Sequence, residues 1–213
     1  MGLIMSHNVA ALVRLMLVTD DRLVHGRDLV ALARAAERGG VTAVQLRLKQ
    51  ATPREQVDCA RALVAALTVP VLVNDRLDVA LAAGTAGVHL GPDDLAPAVA
   101  RRIVPLGFVI GTSVGSVTEA AGAEVADYWG IGPWRTTSTK ADAGEAIGPE
   151  GFRAIARCAA GRPCIAIGGI VPADVPAVIA AGGAGVAVVS GILAKRDVTA
   201  ATQEYAAAFE APR

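Results

Sequence analysis

In QLRLK, a period of two places Gln45, Arg47 and Lys49 along one edge of an extended strand, with Leu46 and Leu48 on the other. Two cations facing the mouth of a core would be expensive unless an anion met them. The alternative is that the strand has already ended and the basic residues stand in solvent. Carboxylates recur as Asn74-Asp75 and Asp93-Asp94. Each pair precedes a helical pattern and could simply cap it. Asp75 and Asp94 could instead act together, because two hard oxygen donors a few ångströms apart are a usual protein contribution to Mg²⁺.

A third group lies in DYWGIGPWRTTSTK, Asp127 to Lys140, which holds both tryptophans and a run of hydroxyls, Thr136, Thr137, Ser138 and Thr139, ending in Lys140. Such a run is either a solvated loop or a cradle for an anion. Gly168-Gly169 and Val189-Ser190 each lead into a helix, where backbone N–H groups are placed to take a phosphate. Together these groups suggest two anion sites, one for a metal-bound diphosphate and one for a monophosphate.

The elements that must position them are short apolar runs alternating with longer stretches of helical periodicity. Strands are expected at Arg14–Thr19, Ala43–Arg47, Val69–Asn74, Gly87–Leu90, Phe108–Ser113, Tyr128–Gly132, Cys164–Gly169 and Gly185–Ser190. Between them lie helical patterns such as 26–40, 53–67, 116–124 and 172–182, several opened by Asp, Thr or Pro and closed by Gly. Eight apolar strands, each followed by a helical segment, predict a single (β/α)8 TIM barrel over residues 14–213, preceded by a short, loosely ordered extension over 1–13. The competing doubly wound sheet usually carries a GxGxxG turn after its first strand, whereas TDDRL stands there. Every residue named above falls at or just after a strand's carboxyl end, where barrels of this type carry their active sites.

Composition narrows the function classes. Twenty basic residues balance twenty acidic ones in 213, so no net field draws the chain to nucleic acid or a membrane surface. Cys59, Cys158 and Cys164 form no CxxC pair and read as buried reduced thiols, which favours the cytoplasm. The uncharged stretch Val175–Ala194 is rich in Gly and Ala and broken by a GG pair, so it reads as helix, turn and buried strand rather than a membrane span. His89 in GVHLG reads as a hydrogen-bonded strand-end histidine, since no second His or Cys stands at ligand spacing. Tyr128 and Trp129 read as packing residues of the sixth strand, and Trp134 as either a water shield or a rim contact.

The segments LMLVTDDRL, VQLRLK, VLVNDRLDVALAAGTAGVHLGPDDL, IGTSV, ADYWGIGPWRTTSTK, PCIAIGGI and GVAVVSGIL resemble, in order and approximate spacing, those of the thiamine phosphate synthase family. The resemblance extends over nearly the whole chain from Arg14. Its most specific parts are the asparagine-aspartate pair followed by GVHLGxxD and the GPxxxTxTK loop. It implies coupling of 4-amino-2-methyl-5-hydroxymethylpyrimidine diphosphate to 4-methyl-5-(2-phosphoethyl)thiazole, giving thiamine phosphate and pyrophosphate with Mg²⁺. The family's reaction is a dissociative substitution through a pyrimidinylmethyl cation.

Carried over by position, the resemblance implies that Gln45, Arg47, Lys49 and Asn74 contact the pyrimidine diphosphate and that Asp75 and Asp94 ligate Mg²⁺. Ser113 would lie near the pyrimidine amino group and Lys140 on the diphosphate. Thr137, Ser138 and Thr139, with Gly169, Val189 and Ser190, would bind the thiazole phosphate. Arg47, Lys49, Ser113 and Lys140 would be the catalytic set. Expected partners are thus small-molecule substrates, with self-association left open. Departures are Leu48 for a frequent Glu, Pro92 for a usual Gln, and Arg135-Thr136 for a usual aromatic-proline. Gly115 stands where the related thiazole tautomerases carry a histidine. The competing hypotheses are a non-catalytic thiazole-phosphate sensor, supported only by Arg135-Thr136, and an unrelated phosphosugar barrel, which would not need QxRxK with both aspartates.

Overall fold

The computed structural model describes residues 8–136 and 144–210. Its strands are β1 Leu15–Val18, β2 Ala43–Leu46, β3 Val71–Asn74, β4 Gly87–Leu90, β5 Val109–Val114, β6 Tyr128–Ile131, β7 Cys164–Ile167 and β8 Gly185–Val188. Each pairs in parallel with the next, and β8 returns to β1, so the sheet closes into the expected (β/α)8 barrel.

The helices among the described residues are α1 Val9–Leu12, α2 Asp21–Val24, α3 Leu29–Gly39, α4 Pro53–Ala66, α5 Leu77–Ala83, α6 Pro97–Arg101, α7 Gly148–Ala156, α8 Val175–Ala180, α9 Ser190–Leu193 and α10 Val198–Ala208. Their ends follow local chemistry. Asp28 accepts from Ala31 N to start α3, and Thr52 with Glu55 forms a capping box ahead of Pro53 in α4. Gly40 and Gly84 close α3 and α5 in the left-handed conformation.

Strand alternation divides the apolar residues into two cores. One face of the barrel wall sends Leu15, Leu17, Val44, Leu46, Val73, Ile110 and Trp129 outward against the helices. The other sends Met16, Val18, Ala43, Leu72, Val109, Tyr128, Ile165 and Ala187 into the barrel. Neighbouring glycines make room for the largest of these. A Cβ on Gly111 would lie 2.1 Å from Tyr128 Cζ, and one on Gly130 would lie 3.0 Å from His89 Cε1. The barrel is therefore filled rather than hollow, and chemistry is confined to its ends.

Several expectations change. Residues 8–13 are not loosely ordered: Asn8 caps α1, and Leu12 and Val13 join the inner core at the amino-terminal end of the barrel. The segment 116–124 forms only a 3₁₀ turn, Glu119–Gly122. Glu119 bends back to accept from Gly115 N, while the Trp129 indole N–H donates to Ala123 O, and these contacts hold a turn where a longer helix was expected. Cys164 is buried and Cys59 half-buried, but Cys158 is exposed; all three are free thiols. Val175–Ala194 resolves into α8, a turn through Gly182, β8 and α9, and no described helix is long and apolar enough to cross a membrane.

Candidate active site

β1 leaves the barrel through Thr19, Asp20 and Asp21, and these three hold the exit of β2. The fully buried Thr19 hydroxyl accepts from Arg47 N at 2.8 Å and donates to Arg47 O at 3.1 Å. The Asp20 carboxylate caps α2 by accepting from Arg22 N and Leu23 N, and its second oxygen accepts from Arg47 Nη1 at 3.3 Å. Asp21 accepts from the backbone N–H of Lys49 at 2.9 Å and of Gln50 at 3.1 Å.

The regular β2 strand ends at Leu46, one residue before the expected end. The ordering of QLRLK nonetheless persists beyond it. Gln45 is buried in the barrel, Arg47 is half-buried beside Asp20, and Lys49 reaches the rim, where its ammonium lies 3.2 Å from Asp75 Oδ2. Leu48 packs outward against the helical core, and its carbonyl accepts from Gln56 Nε2. Arg47 and Lys49 are thus not two basic residues loose in solvent.

Neither carboxylate pair caps a helix. The residue before α5 is Arg76 and the residue before α6 is Ala96, with no side-chain cap at either. Asp75 occupies the left-handed region at φ +65°. Its N–H donates to His89 O at 2.8 Å while Arg76 N donates to Asn74 O at 2.7 Å, a γ-turn at the end of β3. A non-glycine residue held there costs of order 1–3 kcal/mol, a cost typical of functional sites. Asp94 accepts from Gly91 N at 2.6 Å after β4. Burial raises its pKa above the ordinary carboxylate value, and hydrogen bonding to Asp75 together with Asp75's charge raises it further, against Gly91 N–H and Lys49, which lower it. The two carboxyl groups are therefore neighbours.

That arrangement fits Mg²⁺ by its donor chemistry: two close oxygen donors at the mouth, with a lysine already drawn onto one of them. Among the described residues no group of three or more His, Cys, Asp or Glu side chains could hold a metal. Other ligands would have to be water or substrate oxygens, as is usual for this ion.

Beneath the rim runs a buried polar chain. Tyr128 OH lies 2.9 Å from His89 Nδ1, and His89 Nε2 lies 3.1 Å from Ser113 Oγ. Burial holds the Tyr128 phenol protonated, with Gln45 hydrogen-bonded to it. His89 is the hydrogen-bonded strand-end residue expected, and Tyr128 is a packing residue whose hydroxyl also links β2, β4 and, through His89, Ser113 of β5.

On the opposite side, Gly168 and Gly169 turn with φ of +95° and +66°. Side chains there would strike Pro133 and Arg135, with Cβ contacts of 2.7 and 2.8 Å. The close approach arises because Trp134 N donates to Ile167 O and Arg135 N donates to Gly168 O, zipping the loop after β6 to the end of β7. Trp134 is buried, meets Phe152 edge to face at 5.7 Å, and turns its indole N–H toward Asp174. Arg135 chelates the same carboxylate, through Nε at 2.9 Å and Nη2 at 2.5 Å. Trp134 is therefore a rim contact, and the unusual Arg135 has a partner in Asp174. Val189 is half-buried, whereas Gly169 and Ser190 are exposed, Ser190 opening α9 two residues after the end of β8. Thr137, Ser138, Thr139 and Lys140 lie outside the described residues.

The described members of the sequence-derived set are thus gathered at one end of the barrel, on the rim formed by β2 to β5 and on that formed by β7 and β8. Thr19, Asp20, Asp21 and Asp174 were not among the assigned site residues. Their signal was position alone, TDD at the first strand end and an aspartate after the seventh.

Fold and mouth together define a (β/α)8 barrel whose candidate site residues stand at the carboxyl ends of its strands. The thiamine monophosphate synthase family model matches residues 15–192, and the chain belongs to that family. It is 46% identical over 204 residues to the thiamine-phosphate synthase of Azorhizobium caulinodans, covering 93% of this chain and 96% of that one. It is 48% identical over 194 residues to the thiamine-phosphate synthase of Methanoculleus marisnigri, covering 89% and 92%. Among solved structures it resembles thiamine phosphate pyrophosphorylase from Pyrococcus furiosus, with a TM-score of 0.85, 37% identity and coverage of 95% and 98%. A 3-hexulose-6-phosphate synthase structure at 18% identity and TM-score 0.70 shares the fold alone.

Proposed function

We propose that this chain acts as a Mg²⁺-dependent thiamine-phosphate synthase, joining the pyrimidine diphosphate to the thiazole phosphate with release of pyrophosphate. The observation that carries this reading is the neighbouring carboxyl groups of Asp75 and Asp94, with the Lys49 ammonium against Asp75. Two carboxylates alone would repel a diphosphate, and cations alone would bind it without giving the carboxylates a task. A metal diphosphate satisfies both groups.

In this reading Gln45 and Asn74 fix the pyrimidine, with Ser113 held toward its amino group by His89. Arg47, Lys49 and Lys140 take the charge that grows on the departing pyrophosphate. A dissociative substitution asks most for this leaving-group stabilisation and for exclusion of water. Mg²⁺ held by Asp75 and Asp94 would supply further neutralisation of the same charge. Gly169, Val189 and Ser190, with Thr137, Ser138 and Thr139, hold the thiazole phosphate so that its ring nitrogen faces the carbon that the diphosphate leaves. No general acid or base is required of this chemistry; the carboxylates of the mouth serve the metal and the bracing of its cations.

Purified protein given both substrates should form thiamine phosphate and pyrophosphate with Mg²⁺ and lose that activity on chelation. Absence of product under both conditions, with tight binding of the thiazole phosphate retained, would establish the sensor reading instead.

A further inference from the structure

We infer that Asp20 is a positioning residue for the diphosphate cations, setting Arg47 through its side chain while Thr19 and Asp21 set the backbone on either side of Leu48. This rests on the proposed role of Arg47 and Lys49.

The case starts from an apparent contradiction. Asp20 places a negative charge beside a cation assigned to an anion, which by Coulomb attraction alone should weaken anion binding. Yet the residue is almost completely enclosed, 5% exposed, and each of its oxygens has a defined task. Oδ1 accepts from two N–H groups at the start of α2, and Oδ2 accepts from Arg47 Nη1. The carboxylate is thereby anchored to a rigid element before it meets the guanidinium. A long arginine chain confined in this way loses little further rotamer freedom when it binds.

The neighbours of Asp20 act in the same direction. Thr19 grips both the N–H and the C=O of Arg47, and Asp21 grips the N–H groups of Lys49 and Gln50. These contacts begin where the β2 ladder stops, at Leu46. The exit of β1 thus continues the ordering of β2 past its last regular residue, over the segment that carries both cations. No such provision would be needed for basic residues lying in solvent.

Opposite signs separate this role from a purely electrostatic one. Asp20→Asn preserves shape and the capping acceptor but removes the charge that holds Arg47. Asp20→Ser, another good cap with a shorter reach, serves as the second variant. Binding of inorganic pyrophosphate with Mg²⁺ is measured by calorimetry, alongside KM for each substrate and melting temperature. Positioning predicts that Asp20→Asn weakens pyrophosphate about tenfold and raises KM for the pyrimidine diphosphate similarly, with KM for the thiazole phosphate unchanged. It also predicts that the effect disappears when Arg47 is already Ala. Unchanged or tighter pyrophosphate binding in both folded variants, or an equal loss in the Arg47→Ala background, would overturn the inference. If wild-type protein binds pyrophosphate in this Asp20-dependent way yet makes no thiamine phosphate, the proposed reaction fails while the positioning role stands.

Discussion

At the residue scale, Asp75 combines two features that ordinarily oppose each other: a backbone conformation that L-residues avoid and a carboxylate facing another carboxylate. Neither helps the fold. Asparagine tolerates the left-handed region nearly as well as aspartate and carries no charge. Asp75→Asn should therefore leave the melting temperature unchanged or slightly raised while reducing Mg²⁺-dependent product formation by at least about a hundredfold, the scale seen on losing one preorganised electrostatic group. Thermal unfolding and steady-state assays on one preparation check both halves. Near-normal turnover would remove Asp75 from the site.

The relation between Asn74-Asp75 and Asp93-Asp94 also shows what residue types could and could not convey. Their presence at strand ends was legible from periodicity, because the apolar runs before them are short and well bounded. That they do not cap helices was not legible, since Asp before an apolar helical pattern is the ordinary cap signal. Here α5 starts two residues after Asp75 and α6 starts three residues after Asp94, beyond the reach of such a cap.

At the element scale, the clasp among Trp134, Arg135 and Asp174 ties the loop after β6 to the start of α8. Burial alone would raise the Asp174 pKa. The hydrogen bonds from Arg135, Val171 N–H and Trp134, with the Arg135 charge, outweigh burial and hold it below the ordinary carboxylate value. A carboxyl whose folded pKa is depressed adds stability above its unfolded pKa and loses it as pH falls through the folded value. Asp174→Asn should accordingly melt a few degrees below wild type at neutral pH, and the gap should close as pH falls below the usual aspartate range. Melting curves across pH for the two proteins test this. A pH-independent gap would mean that the clasp acts through shape and not charge.

The same clasp explains why Arg135-Thr136, a departure from the family pattern, is accommodated. A guanidinium that chelates a buried carboxylate can anchor the loop where an aromatic-proline pair is usual. Sequence spacing could not reveal it, because Arg135 and Asp174 are 39 residues apart and meet only when β6 and β7 pair.

At the scale of the whole molecule, the two ends of the barrel do different work. The amino-terminal end is closed by α1, with Leu12 at 5% exposure and the Thr42 hydroxyl donating to Leu12 O. The carboxyl-terminal end carries the polar mouth. Leu12→Ala should cost about 2–5 kcal/mol of stability through transfer and cavity terms. Its kcat at permissive temperature should remain within about twofold of wild type, since the amino-terminal face of such a barrel contributes stability and not chemistry. Denaturant titration with activity measured on the folded protein separates the two effects. A large fall in kcat without loss of stability would show that the ends are coupled.

The eight-fold alternation of apolar strand and helical pattern was determined by the sequence alone, because each strand's bounds are set by local turn and cap residues and parallel strands buried on both faces read as continuous apolar runs. For the same reason the positions of Gln45, Arg47, Asn74, Asp75, Asp94 and Ser113 at one end followed without knowledge of any contact. Tertiary structure decided the rest. Pairing of β1 with β2 makes TDD a brace for the QLRLK segment, and pairing of β6 with β7 brings Trp134 and Arg135 to Asp174. Helical packing beneath the barrel turned residues 8–13 from an expected loose extension into part of its core. These are contacts between residues far apart in the chain, and their energies exist only once the strands that carry them have paired.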